Sequence, residues 1–148
     1  MTRYCALPAL MLLLAGGCVH SGTPSDPPQW CTPDAEHGRE VTIEVRVALG
    51  EPEPIVVTPS DCRVRPGALV RWSATGPDRD RFLRVEFKAE SAAASGKREI
   101  PAHAEGGTKQ ALLTARWVGK EARFPYAVYA GDAVLDPDII IDPARAQQ

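Results

Sequence analysis

One stretch of the sequence alternates apolar residues with polar or small residues without a break. Its apolar positions are Val41, Ile43, Val45, Val47 and Leu49. Successive side chains of a β-strand point to opposite faces, so this period of two predicts a strand with one buried face and one solvated face. A glycine and a Glu-Pro-Glu-Pro run follow, and they end the strand because glycine and proline favour turns.

Similar short segments recur along the rest of the chain. We expect further strands at residues 55–57, 62–65, 69–73, 83–88, 124–128, 134–135 and 139–141. In the 83–88 strand, Leu83, Val85 and Phe87 are expected to face the core. Residues 109–118 are also assigned to a strand, although their alanines and leucines suit a helix as well.

Turn residues separate these segments. Gly131-Asp132 is typical of a two-residue hairpin, and Pro137 predicts a bulge or a kink because proline cannot donate to a β-ladder. Residues 91–96, with the sequence S-A-A-A-S-G, are expected to form a flexible loop. Seven or eight short strands at this spacing predict an all-β fold, a Greek-key β-sandwich, with an immunoglobulin-like sandwich as the alternative arrangement.

Composition and motifs exclude several functions. The 148 residues suffice for one domain, and a formal net charge of −2 argues against nucleic-acid binding. Neither a G-x-S-x-G elbow nor an H-E-x-x-H motif occurs, so the chain is not expected to be an enzyme. Six arginines in the middle of the sequence could form a patch for an anionic partner, but interleaved carboxylates favour a salt-bridged face; they are Arg63, Arg65, Arg71, Arg79, Arg81 and Arg84.

The N-terminus has the features of a secretory signal. A positive charge at Arg3 precedes an apolar run at residues 6–14, and small residues follow at 15–17. The weakly polar stretch at residues 4–19 is shorter than the ~18–20 residues needed to span a bilayer. We therefore expect residues 1–17 to be a signal peptide; a buried N-terminal helix is the alternative.

Residues 14–18, with the sequence L-A-G-G-C, resemble the lipobox of bacterial lipoproteins. The resemblance implies cleavage before Cys18, a diacylglycerol on its sulfur and acylation of the new amine. The membrane is then the expected partner, because several acyl chains anchor a protein stably. Leu14 lies one place further from the cysteine than in the commonest pattern, so cleavage without a lipid is the alternative. Val19 after the cysteine resembles lipoproteins sorted to the outer membrane, facing the periplasm.

The domain organisation follows from this start. Residues 18–38 are rich in serine, proline and glycine and are expected to form a tether behind the lipidated cysteine. Residues 39–143 are expected to form the sandwich, and residues 144–148 are expected to be a disordered tail. If Cys5 leaves with the signal and Cys18 carries lipid, Cys31 and Cys62 remain to pair in an oxidising compartment. The alternative, two metal ligands, lacks a third cysteine and a C-x-x-C spacing.

Residues 64–87 resemble cupredoxin-type sandwiches, in which a Pro-Gly turn leads to a strand with an aromatic residue, here Trp72. The end of the chain, residues 126–142, resembles that of small exported proteins of unknown function. The cupredoxin resemblance implies a cupredoxin-like sandwich, but the copper ligands of that family are missing. Residues 78–81 are aspartates and arginines where the family has a histidine, and no Cys, His or Met follows His103.

We therefore expect no cofactor. The function predicted from the sequence is that of a non-catalytic envelope lipoprotein, a tethered binding or structural module of unknown ligand. The alternatives are an atypical metal site built from His103 and carboxylates, and a small envelope enzyme.

Overall fold

The computed structural model describes residues 29–32 and 39–143. The predicted signal peptide, Cys18, the tail at 144–148 and most of the tether lie outside the described residues. The strands are β1 (Gln29–Trp30), β2 (Glu40–Val47), β3 (Ile55–Thr58), β4 (Asp61–Val64), β5 (Leu69–Thr75), β6 (Phe82–Phe87), β7 (Glu99–Pro101), β8 (His103–Glu105), β9 (Thr108–Thr114), β10 (Ala122–Ala130), β11 (Ala133–Leu135) and β12 (Asp138–Ile141). A 3₁₀ turn at Arg79–Arg81 precedes β6. Within the described residues no helix is long and apolar enough to cross a membrane.

The strands form two sheets, which confirms the predicted all-β sandwich. One sheet has the order β1-β4-β12-β10-β6-β7, with β11 also paired to β10, and the other has the order β3-β2-β5-β9-β8. Consecutive strands repeatedly change sheet, so neighbours in a sheet are often far apart in sequence. For example, β2 pairs with β5 and β4 pairs with β12, and both pairs are parallel. The described residues form more strands than the seven or eight predicted. The prediction missed short edge strands such as β7 and β8, because three-residue segments show no clear alternation of apolar and polar residues.

The alternating segment forms β2 as predicted. Val41, Ile43, Val45 and Val47 are fully buried, and the strand lies between β3 and β5 in the five-stranded sheet. These side chains pack against the aromatic centre of the core. Burying a valine or isoleucine side chain contributes roughly 1.5–3 kcal/mol, so the four buried side chains of this strand together contribute roughly 6–12 kcal/mol.

Aromatic side chains from both sheets meet in the core. The Tyr126 ring lies between Trp72, at 5.5 Å in an edge-to-face arrangement, and Phe87, at 5.9 Å. Trp72 belongs to the five-stranded sheet, whereas Tyr126 and Phe87 belong to the other. Edge-to-face contacts place the positive rim of one ring against the negative face of another, so this cluster fixes the relative position of the two sheets.

The predicted orientation of Leu83 is wrong. Phe82 faces the core and is fully buried, whereas Leu83 is 41% exposed. The register with β10 shifts here, because Tyr129 pairs with Arg84 and the adjacent Ala130 pairs with Phe82. Leu83 is thus the extra residue of a β-bulge, and such a bulge reverses the facing of the residues before it.

Residues 91–96 are not the flexible loop that their composition suggested. Ser91, Ala92 and Ala93 are buried, and the Ser91 hydroxyl accepts a hydrogen bond from the Ala93 backbone N–H at 3.0 Å. Ala93 also forms a β-bridge with Ala115. Small side chains are needed here because the segment runs close to the backbone that follows β9.

The predictions for the C-terminal half are largely confirmed. The ambiguous segment at 109–118 is a strand, β9, but it ends at Thr114. Gly131 and Asp132 form the expected two-residue hairpin, since Ala130 pairs directly with Ala133. Pro137 separates β11 from β12, so the two short strands pair in turn with the same long strand, β10.

Candidate functional site

The N-terminal strand is fastened to the sandwich by a disulfide. Cys31 and Cys62 are bonded, with their Cα atoms 4.7 Å apart, and both are buried. The Cys31 N–H donates to the Arg63 carbonyl at 3.1 Å, which extends the parallel pairing of β1 with β4. The predicted disulfide is therefore present, and the alternative of two metal ligands is wrong. The Arg65 guanidinium lies 4.4 Å from the centre of the Trp30 ring and covers this junction.

The segment that would carry a copper ligand in cupredoxins has a structural role here. The Asp78 carboxylate accepts a hydrogen bond from the Leu49 N–H at 2.8 Å, and the Arg81 carbonyl accepts one from the Gly131 N–H at 3.0 Å. These bonds tie three loops together at one end of the sandwich. In residues 29–32 and 39–143, no group of three or more His, Cys, Asp or Glu side chains is arranged to hold a metal.

A polar cleft of about 420 Å³ lies at the edge formed by β7, β8 and β9. His103 lines it together with Glu99, Glu105 and Lys97. The buried Oε1 of Gln110 has no hydrogen-bond partner. His103 thus lines the same cleft as the carboxylates of Glu99 and Glu105, but these three described residues do not form a group that can hold a metal.

An apolar groove of about 430 Å³ lies at the opposite edge, between β3 and β11. Proline, valine and leucine side chains line it, and Val134 is 52% exposed there. At the β2–β3 connection beside it, Arg46 donates two hydrogen bonds to Glu51, at 2.9 and 2.7 Å, and they hold the pKa of Glu51 below its usual range. Sequence reasoning missed the groove because its walls come from segments far apart in the chain.

The middle arginines do not form one patch. Arg63 contacts Asp142 at 3.0 Å in one sheet, and Arg71 contacts Glu40 at 2.6 Å in the other. Arg84 lies 3.4 Å from Glu86 and covers the Tyr129 ring at 3.9 Å. For these three residues the predicted salt-bridged surface is confirmed.

Trp117 is a surface feature that sequence reasoning missed. It follows β9 in a loop and is 72% exposed, whereas Trp72 is fully buried. Its ring lies beside Gly67, where a β-carbon would be only 3.5 Å from the indole. A large exposed aromatic side chain is informative because folded proteins usually bury most of its surface.

No protein-family model and no curated protein matches the chain. Solved structures of rusticyanin are similar to it. A structure of reduced rusticyanin is 13% identical, with a TM-score of 0.39, over 71% of this chain and 81% of that one. Rusticyanin from Thiobacillus ferrooxidans is 14% identical, with a TM-score of 0.38, over 71% and 79%. Both matches have TM-scores below 0.5, so the β-sandwich rests on the strand pairing described above.

Proposed function

We propose that the chain is a bacterial envelope lipoprotein, anchored by lipid on Cys18, whose β-sandwich is a non-catalytic binding module. The observation that carries the proposal is the lipobox-like sequence at residues 14–18, behind a charged start and a short apolar run. The Cys31–Cys62 disulfide supports export, because disulfides persist in oxidising compartments and are rare in the cytosol.

The position of the disulfide suits a tethered domain. In the part of the chain that the structure describes, the sandwich begins at β1, which is a strand of two residues. The covalent bond to Cys62 transfers any pull on the tether to β4, which is paired with β12 inside the larger sheet. A pull on the anchor acts on β1 first, and the bond from Cys31 to Cys62 limits any detachment to the residues before Cys31.

The binding surfaces available to such a module are the apolar groove beside Val134 and the polar cleft beside His103. We assign no catalytic role, because the sequence lacks the nucleophile and metal motifs named above. Partner recognition by an open edge of the sandwich needs no chemistry beyond apolar contact and hydrogen bonding.

Metabolic labelling of the full chain with palmitate, followed by membrane fractionation, tests the anchor. Cys18→Ser should abolish labelling, whereas Cys5→Ser, a cysteine within the predicted signal, should leave labelling and membrane association unchanged. Undiminished labelling of Cys18→Ser would overturn the proposal, and so would an unlabelled wild-type chain.

Elemental analysis tests the non-metal role. After exposure of the purified protein to copper and zinc and removal of excess ions, we expect no stoichiometric metal. One tightly held ion per chain would replace the binding-module proposal by metal handling at the envelope.

A further inference from the structure

We propose that one end of the sandwich, the Trp117 end, lies against an anionic phospholipid surface. This end consists of residues 39–40, 65–69, 88–97, 115–121 and 142–143. The inference rests on the proposed function for its biological setting, since an anchored domain is held close to a membrane. The binding of the sandwich to the lipid surface does not depend on the anchor, so it is tested with a chain that lacks Cys18.

Backbone hydrogen bonds gather these segments at one end. The Leu69 N–H donates to the Arg39 carbonyl at 2.6 Å, and the Gly67 N–H donates to the Ala115 carbonyl at 2.9 Å. The Arg116 N–H donates to the Ala92 carbonyl at 2.7 Å, which adds the loop after β6. The surface is thus built on fixed backbone.

Trp117 is the apolar contact of this end. Its indole is 72% exposed and rests beside Gly67, so the ring is presented to solvent from a rigid turn. Tryptophan favours the boundary between lipid and water, because its ring is largely apolar while its N–H can hydrogen-bond. A single indole inserted at headgroup depth buries the surface that the fold leaves exposed.

The carboxylates of the Trp117 end are already ion-paired. Glu40 contacts Arg71 at 2.6 Å, Glu90 contacts Arg116 at 3.6 Å, and Asp142 contacts Arg63 at 3.0 Å. Glu121 also contacts Arg63. Each of these four carboxylates thus contacts an arginine, which weakens its repulsion of an anionic membrane.

Cations remain in excess at the same end. In the part of the chain that the structure describes, no salt bridge joins Arg39, Lys97 or Lys120 to a carboxylate. Lys120 lies three residues from Trp117 in the same loop. Each lysine or arginine near an anionic leaflet adds electrostatic attraction, so these side chains and the indole act together.

The opposite end has no such excess. Its 3₁₀ turn places aspartates next to arginines in the sequence D-R-D-R, at residues 78–81. The neighbouring turns add the carboxylates of Glu53, Glu105 and Asp132. An anionic surface therefore attracts the Trp117 end and orients the domain.

The tether permits this orientation. The chain between Cys18 and Gln29 can span up to roughly 36 Å when extended. The eight-residue strand β2 is about 26 Å long, so the anchor can reach either end of the sandwich. Charge and the exposed indole decide which end meets the membrane.

Vesicle co-sedimentation with the chain 19–148 tests the proposal. The twelve strands that the structure describes all lie after residue 28, so removal of residues 1–18 takes away none of them and excludes any lipid on Cys18. We expect binding to phosphatidylglycerol vesicles and at least fivefold weaker binding to phosphatidylcholine vesicles. Trp117→Ala and Lys120→Glu should each lower the partition coefficient for phosphatidylglycerol by about fivefold or more.

Two matched variants control for nonspecific effects. Val134→Ala removes an exposed apolar side chain, and Lys109→Glu reverses a charge, both away from the Trp117 end; both should bind like the unmodified chain. The proposal is overturned if the chain 19–148 does not bind phosphatidylglycerol, if Trp117→Ala binds as well as the unmodified chain, or if the controls lose as much. None of these outcomes bears on palmitate labelling of Cys18, so the two proposals fail separately.

Discussion

The Trp72 indole N–H donates a hydrogen bond to the Tyr126 hydroxyl, with 3.3 Å between nitrogen and oxygen, in the middle of the core. Trp72 lies on β5 and Tyr126 on β10, so this bond joins the two sheets of the sandwich. Both side chains are fully buried, and the edge-to-face packing of their rings reinforces the contact. The sandwich is therefore held at its centre by a polar contact within an apolar core.

Tyr126→Phe should destabilise the protein although it keeps the aromatic ring. The substitution leaves the buried Trp72 N–H without an acceptor, and an unsatisfied buried donor costs about 1–3 kcal/mol. Urea unfolding followed by tryptophan fluorescence measures the change. Tyr129→Phe is the matched control, because the Tyr129 ring is only partly buried. This substitution should lower the free energy of unfolding by less than about 0.5 kcal/mol. Equal stabilities of the two variants would show that the bond contributes nothing.

Stability should fall at high pH because of the same residue. Burial raises the pKa of Tyr126 well above its ordinary value of 10.0, while the hydrogen bond from Trp72 opposes this shift. The unfolded chain loses the tyrosine proton first, so the contribution of Tyr126 is fully present below pH 10 and is lost as pH rises above it. The melting temperature of the wild-type protein should therefore drop more steeply than that of Tyr126→Phe over about two pH units above this value. Parallel curves would contradict the assignment.

Loss of the disulfide should weaken the fold without changing its architecture. The bond joins residues 31 apart, and closing such a loop in the unfolded chain corresponds to about 3–4 kcal/mol in the chain-entropy model. Replacing both Cys31 and Cys62 by alanine should lower the free energy of unfolding by this amount. The wild-type protein should respond to reductant and the double variant should not. A loss below about 1 kcal/mol would mean that β1 contributes little to the folded state.

The fold was predictable where burial follows a strict period of two. The β2 pattern fixed both its secondary structure and its buried face, because only one register of Val41 to Val47 hides the apolar side chains. The same reasoning failed at Leu83, since a bulge depends on the partner strand and leaves no mark in the local sequence. It also failed at residues 91–93, where burial comes from contact with Ala115 and not from composition.

The candidate surfaces were less predictable for a related reason. The Cys31–Cys62 pairing followed from counting cysteines, which needs no three-dimensional information. The groove at Val134 and the exposure of Trp117 depend on which sheet edges remain open and which loop runs past Gly67. Such features arise from contacts between distant segments, so a single sequence does not reveal them.

The bulge predicts a contrast between adjacent residues. Phe82→Ala should cost about 3–5 kcal/mol, because it empties a fully buried site, whereas Leu83→Ser should cost less than about 1 kcal/mol. Thermal or urea unfolding of the two variants measures the difference. The order would be reversed if Leu83 faced the core, as simple alternation from Val85 and Phe87 suggests.

A last prediction concerns Gly76, the residue that follows β5. Its φ of +87° lies in the left-handed region, and a β-carbon would meet the Val47 carbonyl oxygen at 2.5 Å. Gly76→Ala must therefore shift backbone as well as strain φ, and we expect a loss of more than about 2 kcal/mol in unfolding free energy.

Gly50→Ala is the matched control, because no heavy atom lies within 4 Å of its β-carbon position and its φ is not left-handed. It should change stability by less than about 0.5 kcal/mol. Val47 is the last residue of β2, and its carbonyl also accepts a hydrogen bond from the Asp78 N–H at 3.1 Å. If Gly76→Ala were tolerated as well as Gly50→Ala, the approach of the chain after β5 to the end of β2 would be looser than these contacts require.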